Sequence, residues 1–452
     1  MKKTLVSLAA VAALTTGAMA ADKGIDITTT GQGVLYYQTV DDNGKTGGED
    51  KSSLFRQDNS AANFAIQLNL DADLKNGFTF GSTFNYLGAL GLDKNMVGGT
   101  MQSARTSTGN DSNGIADEVY MAQLYVAKKM GNTTLKLGRQ ELPKSLSPFA
   151  YSEGWNVFKN TFDAILVVNT DIPDTTLVGA YVSKGNGNGI GNNMSSFTDL
   201  VVSSDVTRTT VTGAAYMATV QNKSIPMTTI TASYYDLAKV AASAGTAGVG
   251  TSAQVIWGSA LVAGKDMPLG LKIGLQGGVI SADDLNLFGT PVVQFSDTTA
   301  YGAKIGLAPV DGLSLCLAYT SVDGDDKKVN VAVKNTTGTK TPLYTQMIAN
   351  QNAIALDNNT FLIKGVVNTG DYGKIIAQYG ATAGGKSSLV RNNSKDTDFG
   401  EFDLIYKVKA ANINWLAAWV NQSWSEKDMK EHSGTKYRTK NDIIRLVARY
   451  NF

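Results

Sequence analysis

Apolar and polar residues alternate with a period of two over much of this chain, most cleanly where Ala62, Phe64, Ile66, Leu68 and Leu70 interleave with Asn63, Ala65, Gln67, Asn69 and Asp71. Successive side chains of an extended strand point to opposite faces, so this run predicts a strand with one greasy and one wet face. Phe78, Phe80, Phe84 and Tyr86 line one parity of the next run. Between the two runs, Asn76-Gly77 supplies a tight reversal, because both residues tolerate positive φ. The final run puts Ile444, Leu446, Ala448, Tyr450 and Phe452 on one parity and Arg445, Val447, Arg449 and Asn451 on the other, so the polypeptide ends on an aromatic residue.

The connections between runs alternate in length. Short turns fall near residues 75–77, 130–133, 171–174, 222–226, 264–270, 308–312, 369–373 and 409–412. Long polar connections fall near 41–60, 88–116, 141–160, 184–207, 238–250, 281–297, 323–359, 383–397 and 425–440. An up-and-down antiparallel meander with one tight and one elaborated rim predicts that order, with both termini at the tight rim. The expected fold is all-β: a transmembrane antiparallel β-barrel of about eighteen strands. Sixteen is the alternative, because a weak Ala/Gly loop joins the runs at 228–236 and 251–262. The first strand, Ile27 to Tyr37, should pair with the last to close the ring. Phe78, Tyr86, Tyr319 and Phe402 stand toward strand ends on the apolar parity, as interfacial girdles require.

Composition changes this picture little. Mean hydropathy is −0.10. Past the N-terminus no run approaches ~18 consecutive apolar residues, which excludes a helical membrane protein and leaves a barrel open. Met1-Lys2-Lys3, the apolar stretch Leu5 to Leu14 and Ala18-Met19-Ala20 have the n-region, h-region and cleavage site of a secretory signal, so 1–20 is expected to be removed and 21–452 to form a single barrel domain in the bacterial outer membrane. Cys316 is the only cysteine, so closure must come from backbone pairing. Loss of Lys2 and Lys3 leaves 38 basic against 39 acidic residues, and nothing in that balance calls for nucleic acid.

If the apolar parity faces lipid, the other lines a watery lumen. That assigns Lys136, Gln140, Lys272, Lys304, Glu401, Asp403, Lys407, Arg445 and Arg449 to the pore wall, either as a transverse field that selects by charge or as plain solvated charge. The connection 141–160 holds Pro143, Pro148, Phe149, Tyr151, Trp155 and Phe158 and is too apolar for a loop meant only for water. It is expected to fold inward and narrow the pore, with Arg139 at its root and Glu141, Lys144, Glu153 and Trp155 along it. Tyr450 and Phe452 are the candidate assembly signal.

Catalysis has little support. His432 is the only histidine and sits in a charged loop, where a solvated role outweighs a catalytic one. Zinc spacings are absent. Asp323-Gly-Asp-Asp326 could hold calcium but lacks the bidentate Glu of an EF-hand loop, so no enzyme activity, metal or other cofactor is expected.

Gly138-Arg139-Gln140, Pro143 and Asn160-Thr161-Phe162-Asp163 resemble the corresponding segment of the outer-membrane porin D family and the related major outer-membrane porins of epsilon-class Gram-negative bacteria. The resemblance covers about thirty residues and is otherwise architectural. It implies an eighteen-stranded barrel, a loop in the eyelet, passive uptake of ions and small hydrophilic solutes, a homotrimer, and insertion by the barrel-assembly machinery through Phe452. One departure is that the chain shows no dense arginine ladder. Strict parity puts Arg139 on the side of Leu135 and Leu137, so a bulge turns it inward or it lies at the rim above lipid. The alternative function is a surface adhesin or structural barrel acting through its long loops.

Overall fold

Each alternating run is a strand, its N–H and C=O groups paired with those of the strands on either side. The computed structural model describes residues 25–41, 53–104, 118–202, 211–241, 250–287, 290–325, 328–337, 340–385, 397–424 and 440–452. The expected signal segment, His432 and Asp326 lie outside them. Eighteen long strands form the wall: β1 (Asp26–Val40), β2 (Ser60–Lys75), β3 (Phe78–Gly88), β4 (Glu118–Met130), β5 (Thr133–Gln140), β6 (Phe162–Asn169), β7 (Thr175–Gly185), β8 (Val211–Asn222) and β9 (Thr228–Ala241). They continue with β10 (Gly250–Ala263), β11 (Lys272–Ala282), β12 (Thr298–Val310), β13 (Leu313–Asp323), β14 (Asn358–Asn368), β15 (Lys374–Gly385), β16 (Thr397–Ala410), β17 (Ile413–Trp424) and β18 (Lys440–Asn451).

Every strand pairs antiparallel with its chain neighbour, and β1 pairs with β18 from Gln32↔Asn451 to Val40↔Ile443, so the sheet has no free edge. The runs at 228–236 and 251–262 are the separate strands β9 and β10, in register from Thr228↔Val262, which settles the count at eighteen. Asn76 and Gly77 close their turn at φ of 51° and 77°, and Ala411-Asn412 close another at 51° and 62°.

Parity behaves as read. Leu35, Leu124, Leu137, Ile256, Leu275, Leu317, Ile363 and Leu446 are exposed together on the outer face. Tyr301, Tyr319 and Phe361 form an outer cluster toward the long-loop rim, with Tyr181 against Tyr216 and Phe402 against Trp419 elsewhere on the wall. Tyr450 and Phe452 stack at the tight rim with ring centroids 6.1 Å apart.

Candidate channel and its constriction

Several connections turn into the barrel: Met101, Ala104 and Met194, from those after β3 and β7, pack with Val157 and Phe158 against Val34, Ala65, Leu87 and Tyr120 of the inner wall, and two longer segments lie against β6 to β13. The expected segment 141–161 follows β5; a second, 324–357, follows β13 and carries one short helix, Gln351–Ile354. What draws them in is the inner wall of β6 to β13, which presents Tyr235, Val255, Trp257, Ile280, Ala300 and Val322 to the lumen. Water cannot stabilise such a surface, so Leu142, Phe149, Val333, Leu343 and Ile354 from the two segments cover it as one buried cluster. Phe149 is the centrepiece: its ring meets Tyr235 at 5.7 Å and Trp257 at 5.3 Å, both edge-on, and its N–H donates to the Tyr235 hydroxyl at 3.2 Å. The segments also bind one another. Asn335 donates to the Tyr151 carbonyl at 2.7 Å, the Tyr151 hydroxyl donates to the Thr341 carbonyl at 3.0 Å, and Thr336 N–H donates to the Phe149 carbonyl at 2.7 Å.

Polar side chains fasten this double loop to the remaining wall. Glu401 and Asp403, neighbours on the inner face of β16, accept the N–H groups of Ala349 at 2.8 Å and Ile348 at 3.2 Å. Gln422 and Gln378 donate to the same two carboxylates at 2.8 and 2.6 Å. Lys340, on the second loop, donates to the Ile348 carbonyl at 2.5 Å and to Gln351 at 3.0 Å. Burial pushes its ammonium down from the usual lysine range, and the nearby carboxylates Glu153, Glu401 and Asp403 oppose that push. On β18, Arg445 binds Gln38 with two donors and reaches the Trp155 carbonyl at 3.2 Å, while Arg449 binds Gln32 and reaches the Val157 carbonyl at 3.0 Å. Both guanidiniums therefore tie the first loop to the seam between β18 and β1.

The space left over is off-centre. A cavity of about 660 Å³ runs along β15 to β18 beneath the loops, and its lining includes Tyr36, Trp155, Lys374, Lys407, Arg445 and Arg449. Lys409 lines it too, and among the described residues no carboxylate does. On the facing stretch of wall, Lys304 stands over the Tyr344 ring at 4.1 Å and Lys272 is exposed to the lumen. Lys144 stays open to lumen water while loops and wall surround it; this enclosure, with Lys304 and Lys340 adding repulsion, pushes its ammonium down to about 8.

The residues assigned from parity to the pore wall do all face inward, but they separate into two groups. Lys272, Lys304, Lys407 and Arg449 meet open lumen, and Lys136 does so over the Tyr125 ring at 3.5 Å. Gln140, Glu401 and Asp403 are fully buried, and Arg445 nearly so. Gln140 is spent on backbone carbonyls such as that of Ala164, and the two acids hold a loop, so they cannot supply the acidic side of a transverse field across the water path. Of the residues placed with the constriction loop, Glu141 pairs with Lys159 at 2.6 Å, Trp155 lines the cavity, and Glu153 is buried with Oε2 accepting the Trp155 N–H. Arg139 takes the rim, one of the two places that parity leaves open. It belongs to β5, on the outward parity near the long-loop rim, where Asp163 takes its Nε at 2.8 Å and the Phe197 ring covers it at 3.3 Å. The Phe197 loop lets a charge sit there with its partner rather than turn inward. The second loop, Tyr36, Lys364 and Lys374 were not among the residues singled out from sequence; the signal for the loop was strands such as β10, apolar on both parities at Val255, Ile256 and Trp257.

No family model and no curated protein matches the chain. Among solved structures, Pseudomonas aeruginosa OccK1 (OpdK) and OccK8 (OprE) align at 12% and 15% identity with TM-scores of 0.68 and 0.66, over 94% of this chain and 98% of theirs. OccAB3 of Acinetobacter baumannii aligns at 14% identity with a TM-score of 0.66, over 94% of this chain and 99% of its own. The likeness is one of fold, the closed antiparallel barrel of eighteen strands.

Proposed function

We propose that this chain is an exported outer-membrane channel through which small hydrophilic solutes diffuse down their gradient, with anions preferred. The observation that carries the reading is the off-centre cavity, lined by Lys374, Lys407, Lys409, Arg445 and Arg449 and, among the described residues, by no carboxylate. A narrow water path with cations on its wall raises the local concentration of anions and lowers that of cations. Resemblance in fold to OpdK, one structure of which contains vanillate, supports small organic anions as the solute class. The N-terminal signal, the terminal Phe452 and the apolar outer face support export, assembly by the barrel machinery and lipid as the surroundings; a homotrimer is the assembly we expect.

Purified, heat-modifiable protein in a planar bilayer tests this directly. Ohmic steps are expected, with a reversal potential in a KCl gradient of the sign that chloride sets. A cation-set potential would overturn the anion preference, and no ohmic step at all would leave the long loops, and a surface role, as the function.

A further inference from the structure

Beneath the latched loop, three lysines on consecutive strands face one part of the lumen. Lys374 on β15 and Lys407 on β16 are direct cross-strand partners, and Lys364 on β14 lies close enough that it and Lys374 are the charges repelling Lys407. Like charges directly opposite on one sheet face are destabilising, so the arrangement works against the wall that carries it. The acids that could neutralise it stand on the same strand as Lys407 but are occupied above, where Ile348, Ile376 and Ile405 form an apolar layer between the carboxylates and the Lys374–Lys407 pair. Among the described residues no ion pair involves Lys364, Lys374 or Lys407. Lys374 and Lys407 border open cavity, and across it the Tyr36 hydroxyl, 2% exposed as a residue, has no hydrogen-bond partner among the described residues. Unlike Arg445 and Arg449, whose donors are taken by Gln38, Gln32 and loop carbonyls, these ammonium groups meet no hydrogen-bond acceptor among the described residues.

We propose that Lys364, Lys374 and Lys407 form a resting site for a small dianion, an oxyanion or a short dicarboxylate, at the tight-turn mouth of the channel. Two ammonium groups from adjacent strands can each meet one negative charge of such a solute, whereas a monoanion leaves their mutual repulsion unrelieved. The site rests on the channel reading and refines it: monoanions pass, and dianions pause.

The test is chloride current through the full chain in a planar bilayer at low ionic strength, with sulfate, succinate or acetate added on the tight-turn side. Sulfate and succinate are expected to reduce the current at concentrations about tenfold below acetate. A potency of both sulfate and succinate equal to that of acetate overturns the site; block by succinate alone or by sulfate alone says whether the organic or the inorganic dianion is its ligand. Lys374→Gln and Lys407→Gln should each raise the half-blocking sulfate concentration about tenfold, while Lys374→Arg and Lys272→Gln leave it within about twofold. Unchanged sulfate block in both glutamine variants overturns the assignment of residues, and if they fail to insert, the comparison of sulfate with acetate on the unaltered chain still decides. Absence of any ohmic current is a different outcome and rejects the channel reading itself.

Discussion

Lys144 shows how a single side chain takes its chemistry from its enclosure. Its ammonium donates to the Thr341 carbonyl at 3.1 Å and lies 5.0 Å from the Tyr151 ring centroid, in lumen water but hemmed in by protein. With its proton held only up to about pH 8, it is a cation at neutral pH and a neutral amine above, whereas an ordinary lysine keeps its charge to about 10.4. Anion preference, read from reversal potentials, should therefore fall between pH 7 and 9, and Lys144→Arg should abolish that part of the fall. Stability runs the other way: in that window the folded chain holds fewer protons at Lys144 than the unfolded chain, so this group favours the fold more as pH rises. At this scale, parity alone told inward from outward for Lys272, Lys407 and Arg449. It could not tell open from buried, because the burial of Glu401 and Asp403 depends on a loop that returns from more than fifty residues earlier in the chain. Nor could parity choose between the two places open to Arg139, since its partner Asp163 and cover Phe197 come from other segments.

Among elements, strands and loops were unequally legible. Strands carry their own period, so β2, β3 and β18 could be drawn from the alternation of their residues, and the tight turns from Asn76-Gly77 and its analogues. The first inward loop announced itself by its aromatics. The second did not: between Val329 and Asn350 it is rich in Asn, Thr and Lys, and its inward course follows from the apolar inner wall it covers. The two loops hold each other, so loosening one should loosen both. Phe149→Ala removes the edge contacts to Tyr235 and Trp257 and should destabilise the double loop by about 3–5 kcal/mol. The expected result is a larger and noisier open-channel current from a barrel whose heat-modifiable migration is unchanged; a quiet current of the original size would show that the loops stand without that anchor.

For the whole molecule, closure is decided at one seam. Gly31 N–H donates to the Phe452 carbonyl at 2.7 Å and Phe452 N–H returns a bond to the Gly31 carbonyl at 3.0 Å, so the final residue completes the ring. The Phe452 ring lies where a side chain on residue 31 would go: a Cβ there would come within 2.5 Å of the ring and 2.8 Å of the Gln67 carbonyl oxygen. Gly31→Val should lower the yield of heat-modifiable barrel, while Gly33→Ala, which meets nothing within 4 Å, should assemble normally. Equal yields from the two would show that the seam tolerates a displaced Phe452.

The dry cluster of β6 to β13 has a consequence for how such a channel can change over time. Its hydrophobic interior is shared between loop residues inside the ring and the inward parity of the wall, while the wall's outward parity and its pairing take no part in it. Shape of the passage and integrity of the wall are thus under separate selection. A lineage can trim, swap or lengthen the residues around Phe149 and Leu343 and so reshape the passage, while the outward parity and register of the wall stay untouched.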